Sequence, residues 1–347
     1  MDALDSDRLT YGKWQRELEE RFAHIHGRKF ACFVNSGTDA LRLGLLAMKE
    51  FHGWGPGTGI AVPAVTFVAT LNAVLQAGLE PLLVDVELEH FGMDQSKIPT
   101  GASAAVPVNL FGHVPPPVIG LPTITDSCET MFIEGCADGD VSCFSTFSAH
   151  LITTGVGGLA TTDDPSLAGI VRSLANHGRD GTYTSIDEPL GRREVMAARF
   201  NFIRSGYSSR GTEMQAAVGC AELDDFPSNI NRRRRSAEML MVGLDDLPLV
   251  LPRYPMMSSA WMMFPILAQS REMRDMITTG LEMSGIETRP LVPLTNQPFV
   301  RDRWGNLDDL LPNAHIVNET GFYVGCHQYL DDADIGRMIQ SFRRICG

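Results

Sequence analysis

The first half of the chain alternates short apolar runs with longer segments of helical period, and this alternation directs it toward a mainly parallel sheet flanked by helices. Runs at 30–34, 60–62, 81–86, 104–110, 123–125, 141–147 and 159–162 read as strands. Residues 39–48, which follow Ser36-Gly37-Thr38, and residues 67–76 read as the intervening helices. The expected fold class is therefore α/β.

Beyond residue 200 the pattern changes. Thr212-Glu213-Met214-Gln215 fits the capping box that satisfies free amides at a helix start, so a helix is expected over 215–223 and another over 232–244. A Pro- and Met-rich stretch at 247–263 suits a domain junction. The expected division is a large domain over 1–245 and a smaller α+β domain over 246–347. The four arginines at 232–235 point around most of a helix circumference, which predicts a solvated or salt-bridged helix beside the acidic Glu222, Asp224 and Asp225.

Composition narrows the function classes. Over 347 residues, 42 acidic side chains outweigh 29 basic ones to give a net charge of −13, which leaves no broad positive footprint for nucleic acid. With 44% apolar and 20% charged residues the chain has the make-up of a globular protein. No apolar run approaches the roughly 20 residues that span a bilayer, and Met1-Asp2-Ala3-Leu4-Asp5 lacks the features of a signal peptide, so a cytoplasmic protein is expected. Seven irregularly spaced cysteines do not form a disulfide framework and read as mostly buried thiols. Of the basic residues 25 are Arg, and the four lysines, Lys13, Lys29, Lys49 and Lys97, all fall in the first third.

Three places could carry chemistry. Ser36-Gly37-Thr38 joins a strand to a helix, where free amides and the helix dipole favour a phosphate, although such a turn also serves as plain punctuation. Asp126 follows an apolar strand, at the sheet edge where open α/β folds bind ligands. A carboxylate there either caps a turn or holds a heterocyclic ring nitrogen protonated. Ser145 and His150 lie beside Gly155-Val156-Gly157-Gly158, whose backbone can approach a ligand closely. On local grounds His150 reads either as hydrogen-bonded structure or as a proton carrier.

Taken in order, these segments resemble the DegT/DnrJ/EryC1/StrS family of pyridoxal phosphate enzymes of fold type I. The resemblance runs through Leu9-Thr10-Tyr11-Gly12, Asn35-Ser36-Gly37-Thr38-Asp39-Ala40-Leu41, Val62-Pro63-Ala64-Val65-Thr66-Phe67-Val68-Ala69-Thr70 and Pro107-Val108-Asn109-Leu110-Phe111-Gly112. It continues in Asp126-Ser127-Cys128-Glu129, 143–158, Gly206-Tyr207, Gln215-Ala216-Ala217 and Asn318-Glu319-Thr320-Gly321-Phe322. It implies an aspartate-aminotransferase-like fold, whose large domain holds a mainly parallel seven-stranded sheet beside a smaller C-terminal α+β domain. It also implies pyridoxal or pyridoxamine phosphate as cofactor. By position, Ser36, Gly37, Thr38 and Ser145 would hold the phosphate, Phe67 would stack on the ring, Asp126 would pair with the ring nitrogen and Glu129 would lie near the ring hydroxyl. Asn109 stands where many members have His. In the family the segment at Ser208 reaches the neighbouring subunit's site, so a homodimer with shared sites is implied, although Ser replaces the usual Asn there.

The chief departure from the family pattern is at His150. Aminotransferases of the family carry a lysine at this place to bind the cofactor covalently, and imidazole forms no stable Schiff base. Non-covalent cofactor is therefore implied, with His150 moving protons. A His here marks the family's sugar 3-dehydratases. Cys128 matches one ligand of an iron–sulfur branch, but Gly181-Thr182-Tyr183-Thr184 lacks its further cysteines, and no metal is expected. The resemblance thus implies C3 dehydration of a nucleotide-linked 4-keto-6-deoxy sugar with an amino donor such as glutamate. Sugar-nucleotide transamination and a non-catalytic homologue are the alternatives. Arg289 and His327 stand in segments that face substrate in relatives.

Overall fold

A computed structural model describes residues 9–180 and 200–347. Its N-terminal helix α1 (Lys13–Ile25) begins without a cap of its own. Glu213, far away in sequence, accepts the amides of Gly12, Trp14 and Gln15, and so supplies the acceptors that a helix start lacks. An added Cβ at Gly12 would lie 2.7 Å from that carboxylate, so the contact requires glycine.

Strand β1 (Phe30–Val34) leads into α2 (Gly37–His52), capped by Ser36, whose Oγ accepts the Asp39 amide. Then come β2 (Gly59–Pro63), α3 (Val68–Gln76), β3 (Glu80–Val84), β4 (Ala104–Ala105), β5 (Ile124–Asp126), β6 (Val141–Ser145), β7 (Gly158–Thr162) and α4 (Pro165–Ala175). Side chains alternate across β1 as a pleated strand requires. Cys32 and Val34 pack with α2 and α4 on one face, while Ala31 and Phe33 meet α1 on the other.

The seven expected strands are present and their pairing is mainly parallel, but they do not form one continuous ladder. The strands form two ladders, β1-β7-β6-β5 and β3-β2-β4, and β7 runs antiparallel to both its neighbours. Between the ladders only the isolated parallel bridges Ala105–Thr123 and Val108–Asp126 remain. Pro107 and Pro122 explain the gap, since neither has an amide to donate, and each instead accepts a bond across it through its carbonyl. The strand expected over 104–110 is shortened to two residues for the same reason.

The two helices expected between 215 and 244 are one, α5 (Glu213–Leu244), which continues through Pro227. Its capping box is present, with Thr212 and Gln215 bonding reciprocally. In the arginine run Arg232 and Arg235 are exposed as expected, but Arg233 is buried and Arg234 half-buried. Arg233 is 3% exposed and donates to the carbonyls of Trp261 and Met262, Arg234 donates to those of Met257 and Ser259, and Arg235 pairs with Asp332. These bonds anchor the stretch at 257–262 to α5.

The remaining elements are β8 (Leu249–Val250), β9 (Met263–Ala268), α6 (Arg271–Met283), β10 (Thr288–Pro290), α7 (Pro298–Trp304), α8 (Pro312–Thr320), β11 (Gly321–Gly325) and α9 (Asp332–Cys346). The strands form an antiparallel sheet in the order β10-β11-β9-β8. Not all of this half packs separately, because Leu294 and Val300 enter the core around α2 and α3. Asp85, just beyond β3, accepts the amides of Asn313 and Ala314 and so caps α8 from a distance. No helix among the described residues is long and apolar enough to cross a membrane.

Candidate active site

A cleft of about 520 Å³ opens where the carboxyl ends of β5 and β6 and the start of α2 meet β9 and β11. It gathers Ser36, Gly37, Thr38, Phe67, Asp126, Glu129, Ser145 and His150, widely separated in the chain, and adds Thr66, Met262, Met263 and Tyr323.

At one end the amides of Gly37 and Thr38 open α2 without carbonyl partners, because the Ser36 side chain and carbonyl serve Asp39 and Ala40. An added Cβ at Gly37 would lie 2.7 Å from both Cys128 Sγ and Ser145 Cβ, so only glycine allows the helix to start this close to β6. Free amides, a helix dipole and the Ser145 hydroxyl together form an anion cradle.

Asp126 closes the cleft floor at 5% exposure. Its Oδ2 accepts Thr70 Oγ1 at 2.7 Å and its Oδ1 accepts the Cys128 amide at 3.1 Å. Burial pushes its carboxyl upward, and the hydrogen bonds from Thr70 and Cys128 oppose that shift. It has no salt-bridge partner among the described residues, so a ligand bringing a cationic N–H is its natural complement. Phe67 stands at the cleft with 58% of its surface exposed, leaving a free ring face.

His150 Nδ1 lies 3.3 Å from the Ser145 carbonyl, which can only accept and so makes Nδ1 the donor, and the Cys128 backbone also bonds the ring. Burial holds its pKa below the ordinary value, so the ring is neutral at pH 7 and able to accept a proton. Glu129 Oε2 accepts the Phe111 amide, and burial raises the carboxyl pKa to about 7. Among the described residues no lysine lines the cleft. Anion cradle, exposed aromatic face, buried carboxylate and volume all fit a pyridoxal phosphate bound without a covalent link.

Other expected site residues lie elsewhere. Ser208 is bridged to Asn176 and accepts from Arg210, outside the cleft lining. Arg289 pairs with Glu287, His327 is exposed with its Nδ1 facing the Tyr329 amide, and neither lines the cleft. Asn109 is buried and donates to Ser127 Oγ. Gly181 to Thr184 lie outside the described residues. Thr70 and Tyr323 carried no assigned role in the sequence. The i, i+4 spacing of Thr66 and Thr70 was a usable signal for one of them, whereas Tyr323 enters only through the pairing of β11 with β9.

The family model described as the DegT/DnrJ/EryC1/StrS aminotransferase family matches residues 1–343. The chain is 28% identical to a GDP-4-keto-6-deoxy-D-mannose 3-dehydratase of Escherichia coli O55:H7, covering 94% of this chain and 90% of that protein. It is 30% identical to a GDP-perosamine synthase of Caulobacter vibrioides, over 99% and 94%. The solved E. coli GDP-4-keto-6-deoxy-D-mannose-3-dehydratase with bound hydrated PLP matches it with a TM-score of 0.88 at 26% identity, over 98% of this chain and 94% of that one.

Proposed function

The chain belongs to the DegT/DnrJ/EryC1/StrS aminotransferase family, and within it we propose that it removes the C3 hydroxyl of a nucleotide-linked 4-keto-6-deoxy sugar. The observation that carries this reading is a cleft lined by His150 and, among the described residues, by no lysine. Pyridoxal phosphate, recharged to its amine by a donor such as glutamate, supplies the electron sink of this chemistry when bound.

Each residue then has a limited task. The Gly37 and Thr38 amides and Ser145 Oγ hold the phosphate, and Phe67 covers one ring face. Asp126 keeps the ring nitrogen protonated. His150, neutral and tethered through Nδ1, accepts and returns the proton at the carbon bearing the amine. Because the ring has no covalent tether, these contacts alone set its position. A homodimer in which Ser208 faces the partner's site belongs to the same proposal, supported by the exposed apolar Phe200, Phe202 and Ile203 nearby in sequence.

Transamination of a keto sugar is the competing reading, because a GDP-perosamine synthase is as similar to this chain as a dehydratase is. Product mass decides between them. Incubation with pyridoxal phosphate, glutamate and a panel of nucleotide 4-keto-6-deoxy sugars is expected to give a 3-deoxy ketone with loss of the C3 oxygen, whereas an amino sugar would overturn the dehydratase reading. The His150→Asn variant should bind cofactor yet turn over roughly 10²–10⁴-fold more slowly, the usual contribution of a positioned acid–base group.

A further inference from the structure

Behind the cleft floor lies a short hydroxyl chain that none of the assignments above uses. Thr70, in α3, is wholly buried and donates from Oγ1 to Asp126 Oδ2 at 2.7 Å, and Thr66 Oγ1 lies 2.7 Å from Thr70 Oγ1. An ionised carboxylate can only accept, so the single proton of Thr70 points to Asp126 and Thr66 donates to Thr70. The chain therefore has one direction while Asp126 is charged.

Protonating Asp126 would disturb this arrangement at every link. Oδ1 is engaged by the Cys128 amide at 3.1 Å, so an added proton belongs on Oδ2, where Thr70 already donates. The acid would then have to donate to Thr70, and Thr70 to Thr66. The titratable groups that face Asp126 are Cys128 in its own turn, Cys143 on β6 and Glu129. None of them is a cation. Hydrogen bonds from Thr70 and from the thiol and amide of Cys128 are thus what holds a charge on this buried oxygen pair, and the Thr70 bond leads them.

We propose that Thr70, backed by Thr66, is the positioning residue that keeps Asp126 ionised and so retains the proton on the ring nitrogen of a bound pyridoxal or pyridoxamine phosphate. This rests on the pyridoxal phosphate reading of the cleft. Without the Thr70 donor, Asp126 Oδ2 binds a proton more tightly, and the carboxylate would compete better for the proton on the ring nitrogen of a bound cofactor. The electron sink is weakened although no cleft residue has changed.

The test uses pyridoxamine phosphate labelled with ¹⁵N in the ring, bound to wild type, Thr70→Val, Thr70→Ser and Thr66→Val, with the ¹⁵N shift followed from pH 6 to 9. Wild type and Thr70→Ser are expected to share the same midpoint for loss of the ring proton. Thr70→Val should lose the proton at a midpoint lower by about one pH unit or more, a roughly tenfold change in the proton equilibrium. Thr66→Val, which leaves Thr70 able to donate, should shift in the same direction by less, and it carries the test if Thr70→Val does not fold. An unmoved ¹⁵N signal in the folded valine variants, or a Thr70→Ser shift as large as that of Thr70→Val, would overturn the proposal. Failure of wild type to bind pyridoxamine phosphate would overturn the cofactor reading as well, and binding by wild type separates the two failures.

Discussion

Glu129 shows what a buried carboxyl costs at this site. Its pKa is raised from 4.5 to about 7 by burial, so the folded protein holds this proton over a range in which the unfolded chain has released it. The associated stability is complete below the unfolded value and is lost as pH rises through about 7. Glutamine keeps the acceptor for the Phe111 amide and removes the charge. Glu129→Gln should therefore be more stable than wild type at pH 8, by about 1–2 kcal/mol once partial opening of the carboxyl to the cleft is allowed for, and indistinguishable near pH 4. Urea denaturation at the two pH values checks this, and an equal gain at both would show that packing rather than charge is responsible. A group that destabilises the protein at neutral pH, in the same cleft as the buried carboxylate of Asp126, is the usual mark of a residue placed for chemistry.

Elements explain both how much of the molecule was legible and where the reading stopped. Strand β1 and the starts of α2 and α5 could be read because local rules agree there: a short apolar run for β1, a Ser-Gly-Thr turn before α2 and a capping box for α5. The middle of α5 could not, since Pro227 ordinarily ends a helix and is overridden here by buried Leu223 and Ile230 and by the carbonyl bonds of Arg233. The cradle and floor of the site were legible as motifs, because glycine, aspartate and histidine each have a narrow set of uses at strand ends. Tyr323 and the Thr70 contact were not, since long-range pairing and packing place them. Asp85 is a similar case, an exposed-looking acidic residue after β3 that accepts the Asn313 and Ala314 amides opening α8. Asp85→Ala leaves those amides without acceptors and should cost about 1–2 kcal/mol, read as a lower urea midpoint with unchanged slope. Asp85→Asn, which retains only one of the two acceptor oxygens, should recover part of the loss.

At the scale of the whole molecule, the face of the sheet covered by α1 and α5 carries a polar ring at the edge of its apolar core. His26 stacks on Phe22 at 4.1 Å between ring centres and lies about 5 Å from Phe144 and Phe132. Both ring nitrogens are committed, Nδ1–H to the Phe22 carbonyl at 2.9 Å and the Nε2 lone pair to the Phe132 amide at 3.2 Å. Only the neutral tautomer satisfies both, and burial lowers the pKa from 6.5 to about 4. A depressed histidine contributes stability that is present above the unfolded value and is lost as pH falls toward the folded one. Unfolding should become easier between pH 6.5 and 4, by roughly 2–3 kcal/mol from this residue. His26→Phe removes the titration while preserving the stacked shape. Its stability should vary less with pH than that of wild type across that window, and the two curves should converge as pH drops. Parallel curves, measured by urea denaturation from pH 4 to 8, would place the acid sensitivity of the fold elsewhere.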